Sequence, residues 1–175
     1  MKIRDASEGD VEGITEIYND AVEHTTASWN ATTVDAANRL AWLVERRRVG
    51  HPVLVSIGAD GKVLGYATFG DWRAWDGYRY TVEHSVYVRA DQRGKGIGKA
   101  LMLALINRAR DLGKHVMVAC VEARNIASIR MHENLGFEHV GHLKQVGAKF
   151  GGWLDLVFLQ LTLDARAAPI DARGS

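Results

Sequence analysis

The sequence predicts one α/β (α+β) domain, a mixed sheet of about seven strands with helices on both faces. Three observations carry this. The chain has 175 residues, the length of a single domain able to bury a substantial core. Apolar residues recur at a period of two in some segments and near 3.6 in others. Taken in order, the segments read β-α-α-β-β-β-α-β-α-β-β, with no linker, internal repeat or low-complexity stretch.

"KIRDA" (2–6) reads as a short first strand. Ser7 follows as a helix N-cap, with Asp10 three residues on. Val11, Ile14, Ile17, Tyr18, Ala21 and Val22 then mark a helix over about 8–24. "TTASWNAT" (25–32) has no period and is a loop. Val34, Ala37, Ala41 and Val44 mark a second helix over about 34–49, ending in three arginines and Gly50. "PVLVSI" and "KVLGYATFG" form a hairpin around "GADG". In "TVEHSVYV" (81–88), Thr81, Glu83, Ser85 and Tyr87 take one face and Val82, His84, Val86 and Val88 the other. A helix to about 112 follows, with Ile97, Leu101, Ala104, Leu105 and Leu112 as its buried stripe and Gly113 as its stop. "HVMVACV" suits a strand covered on both faces. "NIASIRMHENLGF" is a short helix closed by Gly136, and "FEHVGHLKQVG" and "WLDLVFLQLTL" are the last strands. Residues 1–163 form the domain; 164–175 read as a frayed tail.

Composition narrows the function. A formal charge of +1 gives no field to draw the whole protein onto nucleic acid or an anionic membrane, so neither is expected as a partner. No apolar stretch approaches the roughly 20 residues needed to span a bilayer. "MKIRDASEGD" turns polar too early for a signal peptide, and the expected location is the cytoplasm. The single Cys120 lies in an apolar run and reads as a small core residue. The seven histidines form no H-E-x-x-H and have no cysteine at zinc spacing; His139 and His142 would face opposite sides of a strand. No metal is expected.

"DQRGKGIGKAL" (91–101) carries the chemistry. Gly94, Gly96 and Gly98 stand among Arg93, Lys95 and Lys99 at the mouth of a helix. Glycines let backbone N–H groups come close to a ligand, and a helix start offers unpaired donors with a partial positive charge. The combination cradles an anion, most naturally phosphate. Two nucleotide motifs fail by spacing. A Walker loop would put its first glycine at Arg93 and its hydroxyl at Ala100; a dinucleotide fingerprint would put its third glycine at Lys99. What remains is R-x-x-G-x-G on Arg93, Gly96 and Gly98.

"VYVRADQRGKGIGKALM", followed by "NIASIRMHENLGF", resembles the GNAT superfamily of N-acetyltransferases. "EIYNDAV", "TTASWN", "GYATFGDWR", "TVEHSVYV" and "VGAKFGGWLDL" are similar to its subgroup of phosphinothricin and methionine sulfoximine (or sulfone) N-acetyltransferases. The resemblance implies a mostly antiparallel sheet and acetyl-CoA as co-substrate. It implies that Val86, Tyr87 and Val88 bind the cofactor through main-chain atoms. Arg93, Gly94, Lys95, Gly96, Ile97, Gly98 and Lys99 would wrap its pyrophosphate, and Asn125 and Ser128 would reach its pantetheine arm. Many members carry a Tyr seven residues after that Asn, near the sulfur; here His132 stands there, and is the candidate acid or only a hydrogen-bonding helix residue.

Transfer to an amine needs a neutral nitrogen, and near pH 7 an α-amine is mostly protonated. Glu83, a carboxylate in an apolar strand, is the candidate base, with a salt bridge to an arginine as the alternative explanation. A backbone N–H near Val86 to Val88 would hold the oxyanion, and no acyl-enzyme on Cys120 or Ser85 is needed. A zwitterionic acceptor calls for donors near Glu83, and Arg73, Ala74, Trp75, Arg79, Tyr80, His84 and Ser85 are at hand. Trp29 and Trp75 would wall the pocket. Lys149 and Phe150 would close it, from the same or a neighbouring subunit, since the resemblance implies a homodimer. Two other functions fit the same residues: acetylation of a protein N-terminus or lysine, and CoA binding without turnover.

Overall fold

The computed structural model describes residues 1–169. Its elements are β1 (Lys2–Asp5), α1 (Val11–His24), α2 (Ala36–Arg48), β2 (Val53–Ile57), β3 (Val63–Asp71), β4 (Thr81–Val88), α3 (Ile97–Asp111), β5 (Val116–Glu122), α4 (Ile126–Glu133), β6 (Glu138–Lys149) and β7 (Gly152–Thr162). The seven strands form one sheet in the order β1-β2-β3-β4-β5-β7-β6. β4 and β5 run parallel; the other neighbours are antiparallel.

Two apolar layers cover the sheet. On one face, Leu101, Met102, Leu105 and Ile106 of α3 and Ile129 of α4 pack on Phe69, Val82, Met117, Ala119 and Leu159. On the other, Ile14, Ile17 and Tyr18 of α1 and Leu43 of α2 pack on Val53, Val55 and Tyr66. Full burial of each such side chain contributes about 1.5–3 kcal/mol. Ser7 and Asp10 bond as expected, but Ser7 caps a 3-10 turn over Glu8–Asp10, and α1 itself begins at Val11 with Asp10 as its N-cap. Ser7 donates to the Asp10 carboxylate from both its N–H (2.6 Å) and its hydroxyl (2.8 Å), and Arg4 clamps that carboxylate with two further bonds.

Three sequence expectations need correction. The packed side of α2 is not Val34, Ala37, Ala41 and Val44, since Ala37, Ala41 and Val44 are exposed. It is Leu43 with the half-buried Arg39, Trp42 and Arg46. Arg39 lies over the rings of Tyr18 and Trp42, so arginine stems cover apolar surface that alanines were expected to cover. Leu112 follows the end of α3 and is exposed. Residues 164–166 are tied down rather than frayed: Asp164 binds His115 and Arg166, and Arg166 donates to the carbonyl of Gly113. Residues 170–175 of the expected tail lie outside the described residues.

Candidate active site

The site begins where two strands part. β4 and β5 are registered only over Thr81–Glu83 and Val116–Val118, although β4 continues to Val88 and β5 to Glu122. Beyond Glu83 the facing edges carry N–H and C=O groups that this pairing does not satisfy. Such groups call for partners, and an extended ligand arm can supply them. One cavity of about 490 Å³ runs past Val86, Tyr87 and Val88 to Gly94, Gly96, Ile97, Gly98 and Lys99, with Asn125 and Ser128 opposite. A second, of about 470 Å³, holds Glu83 and shares Val86, Tyr87, Asn125 and Ser128 with the first.

The glycine loop has the backbone geometry that an anion cradle needs. Gly94 and Gly96 sit at φ 77° and 79°, a region that strains any residue with a Cβ. Gly96 caps α3 with no side-chain bond, and the first helical hydrogen bond is made by the N–H of Ala100. The N–H groups of the preceding turn are therefore left for a ligand. The cations are partly engaged. Arg93 lines the cavity while bonding Asp20 at 2.8 Å, and Lys95 turns away to the carbonyl of Asp91 and the Gln92 side chain. The ring of Tyr87 packs against Tyr18 and Tyr66, so its side chain is engaged within the protein.

Glu83 lies opposite Gly70 of β3 and Val118 of β5, on the face that carries Cys120 and Phe158. The pocket around it is lined by Trp29, Trp72, Arg73, Ser85, Cys120 and Phe158. Cys120 is thus half-exposed to the pocket rather than a core residue. Burial first, then the Glu83 carboxylate that its thiol hydrogen-bonds, push that thiol far above its usual pKa. A thiol so held is a poor nucleophile.

Several expected site residues lie elsewhere. Trp75 is 72% exposed, stacks toward Tyr78 and lines no part of the pocket, and Ala74 is exposed beside it. The wall role falls to Trp72, packed edge-on against Phe158, with the Arg73 guanidinium 4.3 Å over its ring. Arg79 and Tyr80 also lie outside the pocket lining. Lys149 lines neither cavity, and its ammonium is bonded to carbonyls of the 25–28 segment. Phe150 is exposed at the β6–β7 turn.

Sequence reading missed Trp72, Phe158 and Glu122. The alternation of β7 places Phe158 beside Cys120, but only once the β5–β7 register is known. Glu122 is buried at the end of β5 and accepts hydrogen bonds from Thr26 and Arg124.

His84 and His132 form a buried pair, Nε2 to Nε2 at 3.0 Å, with their rings stacked. His132 Nδ1 donates to the carbonyl of Ser128 at 2.7 Å. Its Nε2 therefore accepts, and His84 Nε2–H donates. Burial lowers the pKa of both rings, with their mutual repulsion adding at His84. Both nitrogens of His132 are thus engaged within the protein, and both rings border the Glu83 pocket. His84 is bound into this pair rather than offered to an acceptor.

Among the described residues, no three His, Cys, Asp or Glu side chains are placed to hold a metal ion. A bulge after His139 sets it and His142 opposite Leu159 and Val157, on one face rather than two, where they bond Glu133 and Asp155. No helix of the described residues is long and apolar enough to cross a membrane.

Comparison with known proteins agrees with this geometry. The chain is 61% identical over 168 residues to an L-methionine sulfoximine/L-methionine sulfone acetyltransferase of Pseudomonas aeruginosa, covering 95% of this chain and 98% of that one. It is 38% identical to a phosphinothricin N-acetyltransferase of Alcaligenes faecalis, covering 93% and 83%. An acetyltransferase structure from Salmonella typhimurium, solved with its cofactor acetyl-CoA, superposes with a TM-score of 0.94 at 59% identity, covering 98% of each chain. The profile of the acetyltransferase (GNAT) family matches residues 14–137. With the glycine loop, the parted strands and Glu83 all falling within that match, the chain belongs to the GNAT family of acetyltransferases.

Proposed function

We infer that the protein transfers an acetyl group from acetyl-CoA directly to the α-amine of a small amino-acid-like acceptor, of the methionine sulfoximine, methionine sulfone or phosphinothricin type. One observation carries the reading: the two cavities meet at Val86 and Tyr87 on the parted edge of β4 and at Asn125 and Ser128, with the glycine loop at one end and Glu83 at the other. The N–H groups of residues 94–99 suit a diphosphate, and the unpaired edge of β4 suits an amide-bearing arm. Acetyl-CoA supplies the activated acyl group.

The residues divide the remaining work. Glu83 takes the proton of the acceptor ammonium, directly or through water, and frees its lone pair. Arg73 grips the acceptor's carboxylate with two parallel hydrogen bonds. Main-chain N–H groups near Val86 to Val88 hold the carbonyl oxygen as charge gathers on it. Cys120, kept as a neutral thiol, takes no part as nucleophile. With His132 engaged, the sulfur leaves as a thiolate and is protonated from solvent. The Trp29, Trp72 and Phe158 walls leave room for a small molecule rather than a peptide, which favours this acceptor class over a protein N-terminus or lysine. Acetylation removes the acceptor's ammonium charge, by which a site built for an amino acid would recognise it, and this supports a detoxifying role.

A homodimer fits the surface. β6 is an edge strand exposing Val140, Leu143 and Val146, and Phe150 and Trp153 continue the patch. Covering such an edge with a second copy removes a liability that isolated proteins avoid. Light scattering after gel filtration gives a mass near twice that of the chain if so; a monomer at micromolar concentration refutes the dimer. The activity is tested by release of free CoA over a panel of sulfones, sulfoximines, phosphinates, polyamines and peptides. Turnover confined to peptides, or to none of the amines, refutes the reading.

A further inference from the structure

The acceptor pocket has one wall that belongs to no helix or strand. Residues 25–30 leave the end of α1, and Ser28, Trp29 and Asn30 face this pocket, while Thr26 and Ala27 also line the cofactor cavity. An irregular segment has no ladder of its own to fix it. Asn30 donates to the Tyr18 hydroxyl of α1 and Ser28 hydrogen-bonds Tyr87 of β4, and three more tethers come from β5 and β6. Lys149, the last residue of β6, donates to the carbonyls of Ala21 (3.5 Å), Thr25 (2.6 Å) and Ser28 (2.5 Å). Glu122, the last residue of β5, accepts from the Thr26 hydroxyl at 3.2 Å. The Trp29 ring fills the space that a Cβ on Gly147 would take, and its Nε1–H bonds the carbonyl of Thr26 at 3.1 Å.

The chemistry of Lys149 suits this task. An ammonium has three N–H donors on one atom, and three carbonyls converge on it. Two of those carbonyls belong to the last turn and cap of α1, where the helix dipole favours a cation. All three hydrogen bonds are to main chain, and the Phe150 ring lies 4.8 Å from the ammonium, so the charge is engaged within the protein itself.

We propose that Lys149 is a positioning residue for acceptor binding: it holds the 25–30 wall at the distance from Glu83 that fits a small acceptor, without touching the acceptor itself. The role rests on reading the Glu83 cavity as the acceptor site, whereas the tether itself does not.

The test uses the full chain and Lys149→Met, which keeps the stem and removes the ammonium. Hydrogen exchange by mass spectrometry reads the tether independently of activity. The amides of 25–30 are expected to exchange at least tenfold faster, with the strands unchanged. Steady-state kinetics read the role. The KM for methionine sulfone should rise about tenfold, kcat should fall less than threefold, and acetyl-CoA affinity by calorimetry should move less than threefold. Unchanged exchange over 25–30 overturns the tether. Faster exchange with an unchanged acceptor KM overturns the positioning role, as does an equal loss for both ligands. Should Lys149→Met not fold, Thr26→Val releases a single tether and should move exchange and acceptor KM in the same direction by twofold to fivefold; no movement in either refutes the proposal. If the wild type acetylates no amino acid, the function fails while the exchange result still judges the tether.

Discussion

Gly96→Ala separates what the glycine loop does for folding from what it does for binding. Gly96 has φ 79°, and a Cβ there would meet no atom within 4 Å. The folding cost is therefore backbone strain alone, about 1–2 kcal/mol, or a melting temperature lower by about 2–8 °C for a chain of this size. Gly113, at the other end of α3, has φ 68° and equally open surroundings. Gly113→Ala should cost the same, which makes it a matched control outside both ligand cavities. Binding should distinguish the two. A Cβ and a shifted turn at Gly96 stand between the ligand and the N–H groups at the start of α3. Losing one charge-assisted hydrogen bond costs about 1.5–3 kcal/mol, or about 10- to 150-fold in affinity. Calorimetric titration with acetyl-CoA, alongside thermal melts, should show equal losses of stability and a loss of affinity in Gly96→Ala alone. Equal affinities in the two variants would refute the anion cradle as the source of cofactor binding.

Three further outcomes are expected. Glu83→Gln should lower kcat by about 10²–10⁴ while leaving acetyl-CoA affinity intact in calorimetry; near-wild-type turnover removes Glu83 as base. Cys120 should react with iodoacetamide far more slowly than a free thiol, faster in Glu83→Gln, and Cys120→Ala should remain active; an inactive alanine variant with a normal fold contradicts direct transfer. The buried histidine pair sets an acid limit. Their folded pKa values lie below 6.5, so the unfolded chain takes protons first, and stability present above about pH 6.5 is lost as the pH falls through the folded values. The slope is at most about 1.4 kcal/mol per pH unit for each ring. Urea unfolding at pH 7.5 and 5.5 should show this decline, and His84→Phe with His132→Phe should flatten it. A flat wild-type curve means the pair is not held neutral.

The sequence by itself determined the element order, the two faces of β4 and the cofactor cradle, because each is written in consecutive residues. Alternation places Glu83 and Ser85 on one face and His84 on the other whatever the rest of the chain does. Three glycines before an apolar helical run mark an N-terminus wherever it packs. The acceptor side was legible only in part, because it is assembled from segments far apart in the chain. Arg73 was found and Trp72, its neighbour, was passed over in favour of Trp75, since nothing in "GDWRAW" says which indole turns inward. Tertiary structure alone decided that β4 and β5 part after Glu83 and that Phe158 faces Cys120. It alone set His132 against His84, and turned the Lys149 ammonium onto the main chain of the 25–28 segment. The physical reason is common to these cases: a long or polar side chain takes whichever partners burial brings within reach, and local sequence does not encode the register that brings them.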